Sequence, residues 1–229
     1  GKLYRAYFQD YRSFLSRPEA VADGITRRDE DRIVIVHSDL RQFYDRVRPE
    51  HLAQKLGALA RPGDDPSLVT LTNRLLNWTW NERDAREIDR YAAQAGISDF
   101  SHVALPQGLV ASGFFANVAL LDFDQALREG MSQEIKPGVH IHDVCRYVDD
   151  LRVVATVSRR CGTLGDIEAI VADWLQGLLG GSSLGLVVSR EKTRAATFRE
   201  DERPLVQQSR RMRRIQSAIS GGFDAGALV

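Results

Sequence analysis

Hydrophobic side chains recur at helical spacing along several parts of the chain. Over residues 3–15 apolar and aromatic positions repeat every three or four residues, and Pro18 is expected to end that helix. Pro49 and Pro66 each open a further predicted helix, the first running to Ala60 and the second to about Trp80, because proline is favoured at the first helical position. A charged helix is predicted over 82–95. These patterns predict a largely helical first half of the chain.

Short β-branched runs lie between these predicted helices and after them. Ile33–Val36 reads IVIV, which is typical of a buried strand. Two strands are predicted within 144–157 and two short ones within 184–198, with an amphipathic helix over 165–179 between them. The order of strand, helices, hairpin, helix and strand predicts an α+β fold, an antiparallel sheet with helices packed on one face.

The composition is that of an ordinary globular protein. The chain has 229 residues, 43% of them hydrophobic, so it can bury a substantial core as one compact domain or as one domain with a small appendage. Its two cysteines, Cys145 and Cys161, have no metal-ligand spacing. No apolar segment reaches membrane-spanning length, and the first residues lack the features of a signal peptide. We therefore expect a cytoplasmic protein with no membrane partner.

The charge is balanced overall but uneven along the chain. Lysine and arginine together number 31, as do aspartate and glutamate, so the whole chain does not favour a polyanionic partner. Residues 190–214, however, hold nine basic side chains against four acidic ones. This segment is either a solvated helix face or a phosphate-binding strip.

Two adjacent carboxylates raise a chemical question. Asp149 and Asp150 stand between two predicted strands, where a hairpin turn favours glycine or asparagine. Adjacent carboxylates repel each other unless a cation lies between them. Mg²⁺ suits such a place, because it prefers carboxylate oxygens together with phosphate oxygens and water. A solvated loop is the simpler explanation of the pair taken alone.

A third carboxylate changes that interpretation. Asp39 follows the strand Ile33–Val36, and it would meet Asp149 if this strand and the hairpin paired in one sheet. Carboxylates so placed hold two metal ions about 3.5–4 Å apart, which clamp the oxygens of a phosphoryl displacement. The three positions therefore predict nucleotidyl transfer.

Four segments in fixed order carry a family resemblance. They are SDLRQFYDRV at 38–47, LPQGLVASGFFANVAL at 105–120, RYVDDLRVV at 146–154 and GLVVSREKTR at 185–194. They resemble the palm motifs of reverse transcriptases, with most similarity to the bacterial kind related to retrons, group II introns and phage-defence enzymes. The resemblance covers about 33–198 and implies a right-hand polymerase palm.

The same resemblance implies a division of the chain. Residues 1–32 would form a helical segment that belongs to incomplete fingers. Residues 33–198 would form the palm, with a helical insertion at 49–100. Residues 199–229 would form a basic segment leading toward a thumb, of which little or none is present.

Catalytic and metal-binding roles follow from the resemblance. Asp39 and Asp149 match the aspartates that hold metal in this family, and Asp150 matches the third member of the acidic cluster. The main-chain carbonyl of Leu40 would be a further ligand for two Mg²⁺ ions, with Mn²⁺ as an alternative. Lys192 matches a basic residue that approaches the triphosphate and protonates the leaving pyrophosphate.

Nucleotide-binding roles are implied in the same way. Tyr44 stands where the family has an aromatic steric gate, with Phe43 beside it. A gate that clashes with a ribose 2′-hydroxyl implies deoxynucleotide substrates. Gln107 and Gly108 match the motif that lies against the incoming nucleotide and its template base. The alternative for Tyr44 is an aromatic residue that packs in the core at the start of a helix.

The implied activity is that of an RNA-directed DNA polymerase extending a primer 3′-hydroxyl. Its partners would be an RNA template, a DNA or RNA primer and deoxynucleoside triphosphates, with a non-coding RNA, an accessory protein or a second copy as further candidates. Anti-phage defence or a retroelement would be its setting. Gly113 after Ser112, where many relatives have proline, favours a divergent branch that includes template-independent enzymes.

Two rival functions and one further candidate site have weaker support in the sequence. A palm-type nucleotide cyclase is disfavoured because its Gly-Gly-Asp/Glu-Glu-Phe signature is absent. A catalytically silent palm that serves as an RNA-binding scaffold has no need of mutually repelling carboxylates. His140 and His142, beside Asp143, indicate an exposed edge strand more readily than a metal site.

Overall fold

The fold was analysed in a computed structural model that describes residues 7–98, 100, 105–106, 110–180 and 185–199. Eight α-helices lie within these residues: α1 (Tyr7–Gly24), α2 (Phe43–Arg46), α3 (Pro49–Leu59), α4 (Pro66–Leu76), α5 (Ala85–Ala95), α6 (Val110–Ala119), α7 (Leu121–Gly130) and α8 (Leu164–Gly180). Five strands accompany them: β1 (Asp31–Asp39), β2 (Glu134–Lys136), β3 (Val139–Tyr147), β4 (Asp150–Ser158) and β5 (Arg194–Thr197).

The five strands form one antiparallel sheet in the order β2-β3-β4-β1-β5. β1 pairs with β4 along its whole length, from Asp31 opposite Ser158 to Asp39 opposite Asp150. The predicted pairing of the first strand with the hairpin is therefore confirmed. It brings the end of β1 and the start of β4 to the same edge of the sheet.

The main core lies between one face of the sheet and a layer of helices. Alternate residues of β1 face this layer, and Val34 and Val36 are fully buried there. They pack in one cluster with side chains of α6, α7 and α8, among them Phe123 and Leu175. Burial of such apolar area is the dominant favourable contribution to folding.

The opposite face of the sheet is covered in part by α1. Ala22 packs there with Ile33, Ile35 and Val154 in a second buried cluster. The guanidinium of Arg17 donates two hydrogen bonds to the carboxylate of Asp143 on β3, at 2.7 and 2.6 Å. The sequence predicted helices on one face only, and α1 is therefore an addition to that architecture.

The first helix also continues past the proline that was expected to end it. α1 runs to Gly24 with Pro18 inside it. Proline has no N–H to donate, so the carbonyl four residues earlier, that of Phe14, loses its helical partner. The thiol of Cys145 on β3 donates to this carbonyl, at 3.9 Å. A contact with the sheet thus replaces the missing helical bond.

The helices between β1 and β2 follow the predicted positions closely. Asp65 caps α4 by accepting a hydrogen bond from the Ser67 N–H at 2.9 Å, although α4 ends at Leu76 and not near residue 80. Gly96 ends α5 in the left-handed conformation, with φ of 61°. None of the helices in the described ranges is long and apolar enough to cross a membrane.

The prediction that His140 and His142 lie on an exposed edge strand is wrong. β3 lies between β2 and β4, and His140 pairs with residues of both neighbours. His142 falls at an irregularity in the pairing of β3 with β4, where its ring nitrogen contacts the hydroxyl of Thr156. The division of the chain into fingers, palm and thumb segments stays a prediction, and residues 200–229 lie outside the described residues.

Candidate active site

Three aspartates meet at one corner of the sheet. Asp39 is the last residue of β1 and lies directly opposite Asp150, the first residue of β4. Asp149 precedes Asp150 in the hairpin turn, and its carbonyl accepts a hydrogen bond from the Leu40 N–H at 3.1 Å. The antiparallel register therefore brings the Asp39 carboxylate next to those of Asp149 and Asp150, which lie more than a hundred residues later in the sequence.

The turn itself differs from the one predicted. Its two central residues are Val148 and Asp149, because Tyr147 and Asp150 already pair as strand residues. Val148 adopts a φ of 59°, a left-handed conformation that is costly for a β-branched residue. Such strain persists only where surrounding contacts enforce it, and it is common at functional sites.

Lys192 supplies positive charge at this corner. Its ammonium lies 2.9 Å from Oδ1 of Asp39, a residue whose exposed fraction is only 8%. The hydrogen bond to Asp39 raises the pKa of Lys192. Burial, followed by the nearby carboxylates of Asp39 and Asp150, raises the pKa of Asp149. The ionised form of Asp149 is therefore disfavoured at this corner even with Lys192 nearby.

The segment that carries Lys192 is tied firmly to β1. Val188 forms a β-bridge with Leu40, and the Ser189 N–H donates to the carbonyl of Asp39 at 2.8 Å. The hydroxyl of Thr193 lies 2.9 Å from that of Ser38, both buried. Lys192 itself ends a 3-10 turn between these two attachments. Its backbone is thus fixed beside the aspartates.

The donor set suits a hard divalent cation. Carboxylate oxygens are the ligands that Mg²⁺ prefers. Positive charge beside Asp149 would stabilise its ionised form and lower the pKa that burial raises. No three His, Cys, Asp or Glu side chains of the described ranges form a ready-made metal-ligand group. Oδ1 of Asp39 faces Lys192, and Oδ1 of Asp150 lies 3.2 Å from Nε2 of His37. A cation would take the place of these contacts.

The two aromatic residues predicted to contact nucleotide have different surroundings. Phe43 is 1% exposed and belongs to the main core, which does not favour a direct contact with a nucleotide, and its nucleotide-binding role stays a prediction. Tyr44 is half-buried, and burial followed by the negative charge of Asp149 raises its pKa. Tyr44 thus lies beside the carboxylate corner, and its role as a gate stays a prediction.

The second predicted nucleotide contact falls in part outside the described residues. Gln107 and Gly108 are not among them, so their roles stay predictions. The segment just before them is held to α6, because the hydroxyl of Ser112 donates to the carbonyl of Pro106 at 2.6 Å. Gly113 has open space where a side chain would begin. The side of α6 that carries Gly113 is therefore open.

Sequence reasoning missed two residues at this corner. His37, two positions before Asp39, shares its face of β1 and contacts Asp150. Arg146, three residues before Asp149, is buried with a side-chain exposed fraction of 7%. For Arg146, the available signal was a charged residue inside a predicted strand. For His37, the signal was the alternation of side chains along β1, which puts residues two positions apart on the same face.

Comparison with known families agrees with this geometry. A family model described as "Reverse transcriptase (RNA-dependent DNA polymerase)" matches residues 6–216. The chain belongs to the reverse transcriptase family. Its antiparallel sheet with attached helices is a reverse transcriptase palm, which confirms the predicted fold class.

Other comparisons add less. No curated protein matches the chain. Fifty-five solved chains match, among them apo telomerase from Candida tropicalis truncated from its C-terminal domain. This telomerase is 15% identical, with a TM-score of 0.39. The match covers 85% of the present chain and 36% of the telomerase chain, so the present chain spans about a third of that protein.

Proposed function

We propose that this chain is the catalytic palm of an RNA-directed DNA polymerase, which adds deoxynucleotides to a primer 3′-hydroxyl. The observation that carries the proposal is the convergence of Asp39, Asp149 and Asp150 at one corner with a raised pKa at Asp149. Membership in the reverse transcriptase family supports the same activity. A scaffold would gain nothing from such a concentration of negative charge.

The proposed cofactor is a pair of Mg²⁺ ions, with Mn²⁺ as an alternative. Asp39, Asp149, Asp150 and the main-chain carbonyl of Leu40 would hold them. When bound, such ions activate the primer hydroxyl and neutralise charge on the departing pyrophosphate. The ammonium of Lys192, already at this corner, would hold the triphosphate and donate a proton to the pyrophosphate. Fixed placement of these groups contributes much of the catalysis.

Substrate selection would rest on Tyr44. Its ring stands near Asp149, where the sugar of an incoming nucleotide bound at the corner would lie. A ring there leaves room for a deoxyribose and clashes with a 2′-hydroxyl. Gln107 and Gly108 would lie against the nucleotide and its template base. Phe43 supports Tyr44 from the core, with the two rings 5.4 Å apart in an edge-to-face arrangement.

The proposed partners are an RNA template, a DNA or RNA primer and deoxynucleoside triphosphates. A non-coding RNA, an accessory protein or a second copy of the chain would complete the assembly in the cytoplasm. The Tyr-Val-Asp-Asp and Leu-Pro-Gln-Gly boxes support a place among bacterial enzymes of the retron and group II intron kind. Anti-phage defence or a retroelement would be the biological setting.

Template-independent synthesis is the second candidate activity. The specific observation in its favour is Gly113, which follows Ser112 where many relatives have proline and has open space around it. Both candidate activities use the same carboxylates, so they differ only in the need for a template strand.

The test is incorporation of labelled deoxynucleotides with Mg²⁺, before and after nuclease removal of co-purifying RNA. Synthesis that stops on RNA removal and resumes with a defined RNA template supports the proposal. Synthesis that persists without any RNA supports the template-independent alternative. If the folded protein makes no product either with or without RNA, both candidate activities are contradicted and a scaffold is favoured.

A further inference from the structure

Arg146 lies just before the Tyr-Val-Asp-Asp turn and points into the interior. It is a residue of β3, and its partner across the strands is Leu151, which is fully buried on the side of the helical layer. Residues directly opposite each other in an antiparallel pair project on the same side. The Arg146 side chain therefore runs beneath the turn and toward α6 and α7.

A bidentate ion pair fixes the plane of the Arg146 guanidinium. Nε donates to Oδ1 of Asp124 and Nη2 donates to Oδ2, each at 2.7 Å. Asp124 lies in the first turn of α7. A planar fork bound at two points has little freedom to rotate, which lysine cannot reproduce. The directions of the remaining N–H groups are thereby set.

Those remaining groups hold the turn and a second helix. Nη1 donates to the carbonyl of Val148 at 2.7 Å, and Nη2 also lies 3.2 Å from Oδ1 of Asn117 on α6. The Val148 carbonyl belongs to the peptide unit that joins Val148 to Asp149. The carbonyl of Asp149 is held from the other side by the Leu40 N–H. Asp149 is thus fixed at both of its peptide units.

The conformation that Arg146 holds is a strained one. Val148 has a φ of 59°, which an isolated valine rarely adopts. Asp124 already neutralises the guanidinium, so Arg146 contributes little free positive charge to the carboxylate corner, unlike Lys192. Its contribution to Asp149 is therefore geometric.

We propose that Arg146 is a positioning residue for catalysis. It keeps Val148 in its left-handed conformation through the bond to the Val148 carbonyl, and it anchors the Val148–Asp149 turn to α6 and α7 through Asn117 and Asp124. The turn then presents the Asp149 carboxylate to Asp39. This inference rests on the proposed function, because it gives Asp149 a catalytic task.

The experiment compares Arg146→Lys with a matched control, Arg17→Lys. Arg17 forms the same kind of two-point contact, with Asp143, but on the opposite face and away from the turn. For each variant, kcat and KM for a deoxynucleotide, Mn²⁺ affinity by electron paramagnetic resonance and the unfolding temperature are measured. Loss of a group that orients metal ligands costs about 10- to 100-fold in metal affinity or activity.

The proposal predicts losses of that size in kcat and in Mn²⁺ affinity for Arg146→Lys, with KM nearly unchanged. Arg17→Lys retains the wild-type kcat, KM and Mn²⁺ affinity. Equal kcat and Mn²⁺ affinity in the two variants overturn the proposal, whatever their unfolding temperatures. If Arg146→Lys does not fold, Asp124→Asn, which removes the charge that fixes the guanidinium, is judged by the same criterion.

Asp149→Asn, measured in parallel, separates this inference from the function on which it rests. Wild-type synthesis by Asp149→Asn overturns the proposed function itself. Loss of synthesis in Asp149→Asn together with wild-type behaviour of Arg146→Lys overturns the positioning role alone.

Discussion

The ammonium of Lys192 lies 2.9 Å from Oδ1 of Asp39, although 153 residues separate the two in the sequence. The side chain of Asp39 is 11% exposed and that of Lys192 is 61% exposed, so a flexible cation reaches in from the surface to a buried carboxylate. The fold therefore places one positively charged side chain, which a metal ion would displace from Asp39, at a corner that holds three aspartates. Three predictions follow from the residues of this corner.

Replacement of Lys192 by methionine is expected to slow synthesis much more than it destabilises the fold. Loss of a general acid lowers kcat by about 10²- to 10⁴-fold. The pair joins an exposed lysine to a buried aspartate, so its loss should lower the free energy of unfolding by more than the about 0–1 kcal/mol of a fully exposed pair and by less than the about 3–5 kcal/mol of a fully buried one. Single-turnover extension and thermal unfolding measure the two quantities. A variant with wild-type kcat would show that Lys192 is only a counterion to Asp39.

Asp149→Asn is expected to raise the unfolding temperature of the metal-free protein. The pKa of Asp149 is raised in the folded state by burial and by Asp39 and Asp150. The unfolded state therefore loses its proton first as the pH rises, and ionisation of Asp149 destabilises the fold at neutral pH. Asparagine removes this cost. Calorimetry at pH 7 and pH 4 without metal tests it, and the gain in stability should shrink at the lower pH.

Tyr44→Ala is expected to increase the use of ribonucleotides relative to deoxynucleotides. The half-buried ring stands beside Asp149, and its removal opens space for a 2′-hydroxyl. The ratio of kcat/KM for the two sugars measures the change, and Tyr44→Phe, which keeps the ring, should leave it unaltered. An unchanged ratio in Tyr44→Ala would assign this side chain to packing.

Phe43→Ala is the matched control for that experiment. Phe43 precedes Tyr44 but is 1% exposed in the main core. Its truncation is expected to lower the free energy of unfolding by about 3–5 kcal/mol. Because the Phe43 ring packs against Tyr44, a change in sugar selectivity smaller than that of Tyr44→Ala is expected below the lowered unfolding temperature.

The fold is also expected to lose stability below about pH 6.5, the ordinary pKa of histidine, through His142. Burial, followed by the charge of His140, lowers the pKa of His142 in the folded state. Between the lowered pKa and the ordinary one, the unfolded state binds the additional proton, so the free energy of unfolding falls as the pH falls. His142→Gln should weaken this dependence in urea titrations at several pH values. An unchanged dependence would refute the assignment to His142.

Much of the fold could be predicted because local pattern and global arrangement agree. The β-branched run at 33–36, the prolines that open α3 and α4 and the glycine that ends α5 all act through local backbone preferences. The meeting of Asp39 with Asp149 followed from one assumption, that β1 pairs with the hairpin. Antiparallel register then determined the rest.

The features that the sequence did not reveal depend on tertiary contacts. α1 passes through Pro18, and the thiol of Cys145, a weak donor on β3, contacts the carbonyl that proline leaves without its helical partner. The turn begins at Val148, not Asp149, and the bond from Arg146 supports that costly conformation. Phe43 is fully buried and its neighbour Tyr44 is half-buried, a difference that helical pattern alone could not assign.

The most direct test of the central claim is extension of a labelled DNA primer on an RNA template by wild type, Asp149→Asn and Asp143→Asn. Asp143 is a matched control, because it is a buried aspartate of the same sheet that pairs with Arg17 and not with the carboxylate corner. We predict that Asp149→Asn abolishes extension while it remains folded, and that Asp143→Asn extends the primer. Extension by folded Asp149→Asn at the wild-type rate would contradict the assignment of this corner as the polymerase active site.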